Sequence, residues 1–167
     1  ALGMATGHLS LYQLSIEAGT QFFTDGVRAA TTETGADLYT LTRELTTKAG
    51  FKHYEISNYA FPGEECHHNV SIWRGNDYIG VGPGAHGRMT QGENTDAIYQ
   101  IYNPARWLKK VESYGHATAK QTRLTANQRA EEIVMTGLRL SEGIETHRFK
   151  NIINNEALSR LKKEGFL

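Results

Sequence analysis

Apolar residues divide the first third of the chain into a strand, a helix and a second strand. The run 8–14 places apolar side chains on both faces, which is typical of a strand buried on two sides. Leucines recur at helical spacing through 36–49, and Gly50 supplies a stop signal after them. A second strand is predicted over 54–59. Because a strand, a covering helix and a strand bury both faces of a sheet, this order predicts parallel pairing in an α/β fold.

The second half of the chain alternates polar stretches with helical patterns. The stretch 89–102 is polar and predicts a loop or a short edge hairpin. Three helices follow it. Asn103 caps the first and Gly115 follows its end, Thr125 and Gln128 form a capping box for the second, and the third begins near Asn155. Helices that follow an α/β segment predict two domains, covering residues 1–119 and 120–167.

Charge and cysteine content exclude several functions. The 167 residues carry 18 basic and 18 acidic side chains, so charge does not favour nucleic acid or an anionic membrane as the main partner. No apolar run is long enough for a membrane span or a signal peptide, which predicts a cytoplasmic protein. Cys66 is the only cysteine, so this chain alone can form neither an internal disulfide nor an iron–sulfur cluster.

A glycine-rich turn near the middle of the chain is the first candidate site. Glycines stand at 80, 82, 84 and 87 with Pro83 among them, directly after a predicted buried strand at 77–81. Open α/β sheets and barrels bind ligands at such strand ends. The turn is either a tight structural connection or a cradle for an anionic or zwitterionic cofactor group. Its spacing excludes a dinucleotide fingerprint and a P-loop.

A Cys-His-His run is the second candidate site. In an extended segment Cys66 and His68 would face one way and His67 the other. A zinc site would need remote ligands such as His86 or His53, whereas haem needs only one or two axial groups. Nearby aromatic residues would supply apolar surface for a porphyrin, although surface histidines beside loop aromatics also occur without a ligand.

Three segments of the chain resemble a known family. HLSLYQLSIEAGTQF, LYTLTRELTTKAGFKHYEISNYAFPGEECHHN and WRGNDYIGVGPGAHGR look like the radical-SAM haem chaperones of the oxygen-independent coproporphyrinogen III oxidase-like family. The run LTANQRAEEIVMTGLRLSEGIETHRF resembles the helical domain that closes those proteins. The resemblance implies later, parallel strands of a radical-SAM partial (β/α) barrel over 1–119. It implies the truncated start of the helical C-terminal domain over 120–167.

The resemblance also implies cofactors that this chain cannot hold alone. Members carry an N-terminal Cys-x3-Cys-x2-Cys loop that binds a 4Fe-4S cluster and S-adenosylmethionine, and that loop is absent here. The chain is expected to be a piece of a longer polypeptide and inactive by itself. Residues that match the S-adenosylmethionine surroundings of the family are Ser15, Gly84, Ala85 and His86. The sequence carries no signal for or against peripheral membrane association of a parent protein, and an unpaired barrel edge predicts self-association.

A haem-binding motif of the family falls on the Cys-His-His run. His68, Asn69 and Trp73 match the motif His-Asn-x-x-Tyr-Trp, but Ile72 replaces its tyrosine. The resemblance implies that His68 is the axial haem ligand. It leaves two functions for the parent protein: a chaperone that delivers haem to apo-haemoproteins, which this form of the motif favours, or an oxidase that decarboxylates coproporphyrinogen.

Overall fold

The described chain is a mixed α/β protein made of two compact units. The computed structural model describes residues 2–150 and 152–166, so residues 1, 151 and 167 of the two predicted domains lie outside it. Its strands and α-helices in chain order are β1 (His8–Ser10), α1 (Gln21–Thr24), α2 (Thr32–Lys48), β2 (Lys52–Glu55), β3 (Asn58–Ala60), α3 (His67–Trp73), β4 (His86–Gln91), β5 (Asn94–Gln100), α4 (Pro104–Tyr114), β6 (Thr118–Arg123), α5 (Ala126–Gly137) and α6 (Asn155–Lys163). Short 3-10 turns cover Leu2–Met4 and Thr146–Phe149. The units divide between His67 and His68.

The sheet of the first unit has the order β1-β3-β2, and both of its pairings are antiparallel. The predicted parallel pairing is therefore wrong for these strands. The predicted single strand 54–59 is instead the end of β2, a turn at Ile56 and Ser57, and most of β3. Because this turn reverses the chain, β3 runs opposite to β2, and β1 adds antiparallel to the other edge of β3.

The core of the first unit lies where this sheet meets the residues that follow α2. Phe51 is 3% exposed and stacks on Phe61 with ring centroids 4.3 Å apart, and Tyr59 is 2% exposed. The predicted helix is confirmed as α2, which begins after the Thr31 cap. Its leucines at 38, 41 and 45 remain about half exposed within this unit.

The second unit contains the antiparallel sheet β4-β5-β6. The hairpin alternative for 89–102 is confirmed, because β4 and β5 form a hairpin with Gln91 opposite Asn94, but only β4 is an edge strand, since β5 also pairs with β6. The buried strand predicted over 77–81 is wrong. Only Tyr78 forms a bridge, to Arg88, while Ile79 and Val81 are 75% and 82% exposed.

The helix caps of the second unit follow the sequence closely. The Asn103 side chain accepts from the N–H of Arg106 at 3.0 Å, and α4 ends at Gly115 in the left-handed conformation. Thr125 and Gln128 form the expected capping box of α5. The predicted domain boundary between residues 119 and 120 falls inside β6, which pairs with β5. The division into domains 1–119 and 120–167 stays a prediction.

Candidate functional site

The Cys-His-His run leads directly into a short helix, which corrects the extended conformation expected for it. The helix α3 begins at His67, so the predicted alternation of Cys66 and His68 against His67 does not hold. Both histidines lie in its exposed first turn, while Asn69 and Trp73 are half buried. Among the described residues, His68 makes no hydrogen bond or ion pair, so its imidazole is available to a ligand.

Helical spacing arranges the matched motif on two faces of α3. His68 and Ile72 are four residues apart and share one face, whereas Asn69 and Trp73 share another. Position 72, where the family has tyrosine, therefore lies one helical turn C-terminal to His68. At that position Ile72 offers apolar surface beside the imidazole and no hydroxyl group.

Trp73 is the anchor of α3 in the second unit. The guanidinium of Arg139 lies over its indole ring, 4.4 Å from the centroid. The indole Nε1 is buried and has no hydrogen-bond acceptor among the described residues. Buried donors are almost always satisfied, so this unpaired N–H is an exception among the described residues, as is the Nε1 of Trp107.

The end of α3 is closed by a glycine and by two arginines. Gly75 has φ +70°, and its N–H donates to the carbonyl of Ile72 at 2.8 Å, which completes the last turn. Arg129 donates to the carbonyl of Gly75, and Arg148 donates to the carbonyl of Arg74. Cationic donors at carbonyls are favourable at the C-terminal end of a helix.

The glycine turn lies against the first residues of β4. The N–H of Gly84 donates to the carbonyl of Ile101 at 2.9 Å, and the N–H of Ala85 donates to the carbonyl of Gly82 at 3.2 Å. The carbonyl of Ala85 accepts from Gln100 at 2.8 Å. The backbone of this turn is therefore largely engaged within the protein, as its structural interpretation requires.

His86 is the exposed first residue of β4. Its ring meets the ring of Tyr99 edge-on, with centroids 4.4 Å apart, which fixes the imidazole beside the glycine turn. Of the groups predicted at this turn, the His86 side chain is the one that remains exposed to a ligand.

Ser15 lies in the first unit, in an irregular segment after β1. It is exposed and makes no hydrogen bond among the described residues. The preceding residues 11–14 and the first half of α2 line an open groove of about 890 Å³. Gln13 reaches across this groove to the carbonyl of Gly35 at 2.5 Å.

Glu55 is fully buried in the first unit, and its carboxylate is hydrogen-bonded there. Its Oε1 accepts from the N–H of Ser57 at 2.9 Å and from the side-chain amide of Asn58. Ser10 of β1 donates to the same Asn58 side chain at 2.5 Å. Glu55 thus holds the hairpin turn and links it to β1, which is a structural role.

No group of three or more metal-ligating side chains occurs within residues 2–150 and 152–166. The remote histidine at position 53, considered for a zinc site, instead packs against Tyr59, with ring centroids 5.3 Å apart, and contacts Tyr39. Burial lowers the pKa of His53 and outweighs the raising effect of a backbone hydrogen bond at Ile56. Its surroundings are those of a packed neutral imidazole.

Arg88, Glu132 and Arg129 form a charged cluster that the sequence interpretation missed. Glu132 accepts from Arg88 at 2.7 Å and lies 3.3 Å from Arg129. The three-residue spacing between Arg129 and Glu132 on one helix was a visible signal. Nothing local indicated that Arg88, 44 residues away, would join them.

None of the described helices is long and apolar enough to cross a membrane.

Comparison with known proteins places the chain among radical SAM proteins. Radical S-adenosyl methionine domain-containing protein 1, mitochondrial, of Danio rerio is 39% identical over 158 residues, which cover 90% of this chain and 35% of the relative. The haem chaperone HemW of Escherichia coli is 42% identical over 90 residues, which cover 54% of this chain and 24% of the relative. The chain therefore spans about a third or less of these relatives.

A solved structure supports the fold. Coproporphyrinogen III oxidase HemN from Escherichia coli, described as a radical SAM enzyme, matches with a TM-score of 0.63 over 83% of this chain and 35% of that chain. The identity is 13%, so this likeness concerns the fold alone. No family model matches the chain. The relatives nevertheless confirm the resemblance seen in the sequence: over the segment that it spans, the chain is a homologue of radical SAM domain-containing protein 1 and of the haem chaperone HemW.

Proposed function

We propose that this chain is part of a radical SAM protein that binds haem and delivers it to apo-haemoproteins. The observation that carries the proposal is the exposed imidazole of His68, in the matched motif, on a helix anchored by Trp73. Relatives named haem chaperone support the same function. Haem and apo-haemoproteins are accordingly the proposed partners.

The residues of α3 fit a haem group. Haem iron takes one or two axial ligands, and an imidazole is a common one. His68 is exposed and unengaged among the described residues, and Ile72 adds apolar surface on the same face. His68 would hold the iron. Asn69 and Trp73 lie on the neighbouring face of α3, where Trp73 anchors the helix that carries His68 and the half-buried Asn69 would contact the porphyrin edge.

Residues matched to S-adenosylmethionine occur in each unit, and each unit is considered by itself. At the glycine turn, the N–H groups of Gly84 and Ala85 are used inside the protein, so His86 is the group that would contact the cofactor there. Ser15 would contribute its hydroxyl from the segment after β1. When bound, this cofactor supplies radical chemistry.

The 4Fe-4S cluster does not fit this chain. Such a cluster is held by several cysteine thiolates, and Cys66 is the only cysteine in the sequence. We therefore assign the cluster, and with it any radical SAM activity, to the rest of the full-length protein. This chain alone is expected to have neither.

The compartment and several partners stay predictions from the sequence. The cytoplasmic location is one of these predictions. It differs from the compartment in the name of the Danio rerio relative, which is called mitochondrial. The balanced charge of 18 basic and 18 acidic residues underlies the expectation that nucleic acid is not a partner.

Haem titration of the full-length protein tests the role of His68. We expect His68→Ala to lower haem affinity and to shift the Soret band, because an imidazole bound to iron changes the spectrum of the haem. His67→Ala is the matched control, since His67 is also exposed in the first turn of α3. Circular dichroism checks that both variants fold.

The outcomes separate three cases. A changed Soret band in His68→Ala alone supports the assignment. A change in His67→Ala alone would transfer the role to His67. Wild-type spectra and affinities in both variants would show that the haem ligand lies outside this motif and would contradict the proposal for this chain.

Decarboxylation of coproporphyrinogen is the other function that the sequence resemblance allows. The HemN match at 13% identity shows the fold alone, and no feature of the described residues favours this chemistry. Turnover of coproporphyrinogen by the full-length protein would favour it over the chaperone.

A further inference from the structure

We propose that Arg88, Glu132 and Arg129 form a positioning bridge that holds the helix α3 in place relative to the start of β4. The bridge would thereby fix His68, on α3, with respect to His86, on β4. This inference rests on the proposed haem-binding function of α3. It assigns a role to three residues outside the matched motifs.

The first half of the bridge joins β4 to α5. Arg88 binds Glu132 through two nitrogens, with Nη2 at 2.7 Å from Oε1 and Nε at 3.0 Å from Oε2. The Arg88 side chain is 14% exposed, and that of Glu132 is 29% exposed. A bidentate pair shielded from water has a defined geometry, unlike a pair of mobile surface charges.

Arg88 also holds the backbone beside the glycine turn. Its Nη1 donates to the carbonyl of Gly87 at 2.9 Å. His86 and Arg88 are two residues apart on one strand, so their side chains leave the same face of the sheet. The guanidinium is therefore tied to the strand segment that carries His86.

The second half of the bridge joins α5 to α3. Arg129 lies 3.3 Å from Oε2 of Glu132, and its Nη2 donates to the carbonyl of Gly75. Gly75 is buried at the end of α3, and a Cβ there would lie 3.1 Å from the side chain of Ile133 on α5. The end of α3 is therefore packed tightly on α5 at the point where Arg129 binds it.

One carboxylate connects the two halves. Glu132 accepts from Arg88 with both oxygens and pairs with Arg129 through one of them, so removing its charge loosens both contacts at once. A second link to α3, between Arg74 and Glu142, is about half exposed on each side. Exposed pairs contribute little, so that link does not substitute for the bridge.

The test compares Glu132→Gln with Glu131→Gln in the full-length protein. Glu131 is the exposed neighbour on the same helix and takes no part in the bridge, so its variant is the matched control. We expect Glu132→Gln to weaken haem binding by about 10- to 100-fold, the range seen when residues that orient a metal ligand are removed. Its Soret band should shift, while Glu131→Gln should match the wild type.

Two further measurements keep the test decisive. Hydrogen exchange over residues 67–75 in the haem-free protein should rise in Glu132→Gln only, because Arg129, which binds the end of α3, loses the carboxylate that positions it. If Glu132→Gln does not fold, Arg88→Lys replaces it, since lysine keeps the charge but cannot form the bidentate contact. We expect Arg88→Lys to weaken haem binding in the same direction.

Comparison with His68→Ala separates this inference from the proposed function. If His68→Ala changes haem binding and Glu132→Gln behaves like Glu131→Gln, the bridge is refuted and the haem assignment stands. If neither variant changes haem binding, both are refuted. If only Glu132→Gln changes it, the bridge is supported and another residue of α3 is the ligand.

Discussion

Replacing Gly80 by alanine tests how closely the glycine turn packs against β4. A Cβ at position 80 would lie 2.1 Å from the carbonyl oxygen of His86 and 2.5 Å from its carbonyl carbon. Both atoms belong to the backbone, so no side-chain rotation can relieve the overlap. The substitution must therefore separate the backbone at residue 80 from that of His86.

The size of the effect follows from the overlap. Carbon and oxygen approach to about 3.3 Å even in close contacts, so the two segments would have to separate by about 1 Å. Overpacking of this kind costs about 1 to 3 kcal/mol, and a backbone contact lies at the upper end of that range. We expect Gly80→Ala to lower the free energy of unfolding by about 3 kcal/mol.

Gly82→Ala is the control. Gly82 has φ +108°, and a Cβ there would meet nothing within 4 Å, so alanine adds backbone strain without overlap. That strain costs about 1 to 2 kcal/mol. Urea denaturation of the full-length protein gives both stabilities, and hydrogen exchange along β4 reports displacement of His86. A Gly80→Ala protein no less stable than Gly82→Ala would contradict the predicted overlap, and unchanged exchange along β4 would show that the turn moves instead of His86.

Three other predictions concern α3, the charged cluster and the exposed surface. Gly75→Ala should cost more stability in urea than Gly92→Ala, because both have positive φ but only a Cβ at 75 meets a neighbour, at 3.1 Å; equal losses would contradict this. Burial alone would raise the pKa of Glu132, but its arginine partners lower it below the ordinary 4.5, so its stabilisation is present above that pH and lost as pH falls through the lowered value. The stability gap between wild type and Glu132→Gln should accordingly be constant above the ordinary pKa of 4.5 and shrink as the pH falls through the lowered pKa, and a gap independent of pH would refute the pairing. Trypsin should cut early after Arg28, because every residue of the stretch 25–31 is exposed, and a first cut elsewhere, identified by mass spectrometry, would contradict this.

The features that could be predicted from the sequence are those set by neighbouring residues. The Asn103 cap, the capping box at Thr125 and the left-handed Gly115 were all confirmed. Each depends on contacts within one turn of a helix, so the residue types alone determine it. The family resemblance succeeded for a related reason, because it rests on short contiguous motifs.

The errors arose where distant parts of the chain decide the structure. The turn at Ile56 and Ser57 contains no glycine or asparagine, and its hairpin is closed by the buried carboxylate of Glu55. The pattern over 54–59 therefore predicts one strand, although the segment forms parts of two antiparallel strands. Cys-His-His has weak helix propensity, so α3 forms through its tertiary contacts, including the Arg139 side chain over Trp73.

In the candidate site, too, local motifs could be predicted from the sequence and long-range contacts could not. His68, Asn69 and Trp73 could be selected from a motif, but the exposure of His68 and the burial of the Trp73 N–H depend on tertiary packing, which the motif does not determine. The link from Arg88 to Glu132 spans 44 residues and has no local signature.

The central claim is that the full-length protein carries haem rather than converting a porphyrin precursor. The most direct measurement incubates the purified, cluster-reconstituted protein with haem and an apo-haemoprotein, and in parallel with coproporphyrinogen and S-adenosylmethionine. We predict stable haem binding followed by transfer to the apo-haemoprotein, with no decarboxylated porphyrinogen formed. Turnover of coproporphyrinogen without haem binding would contradict the account.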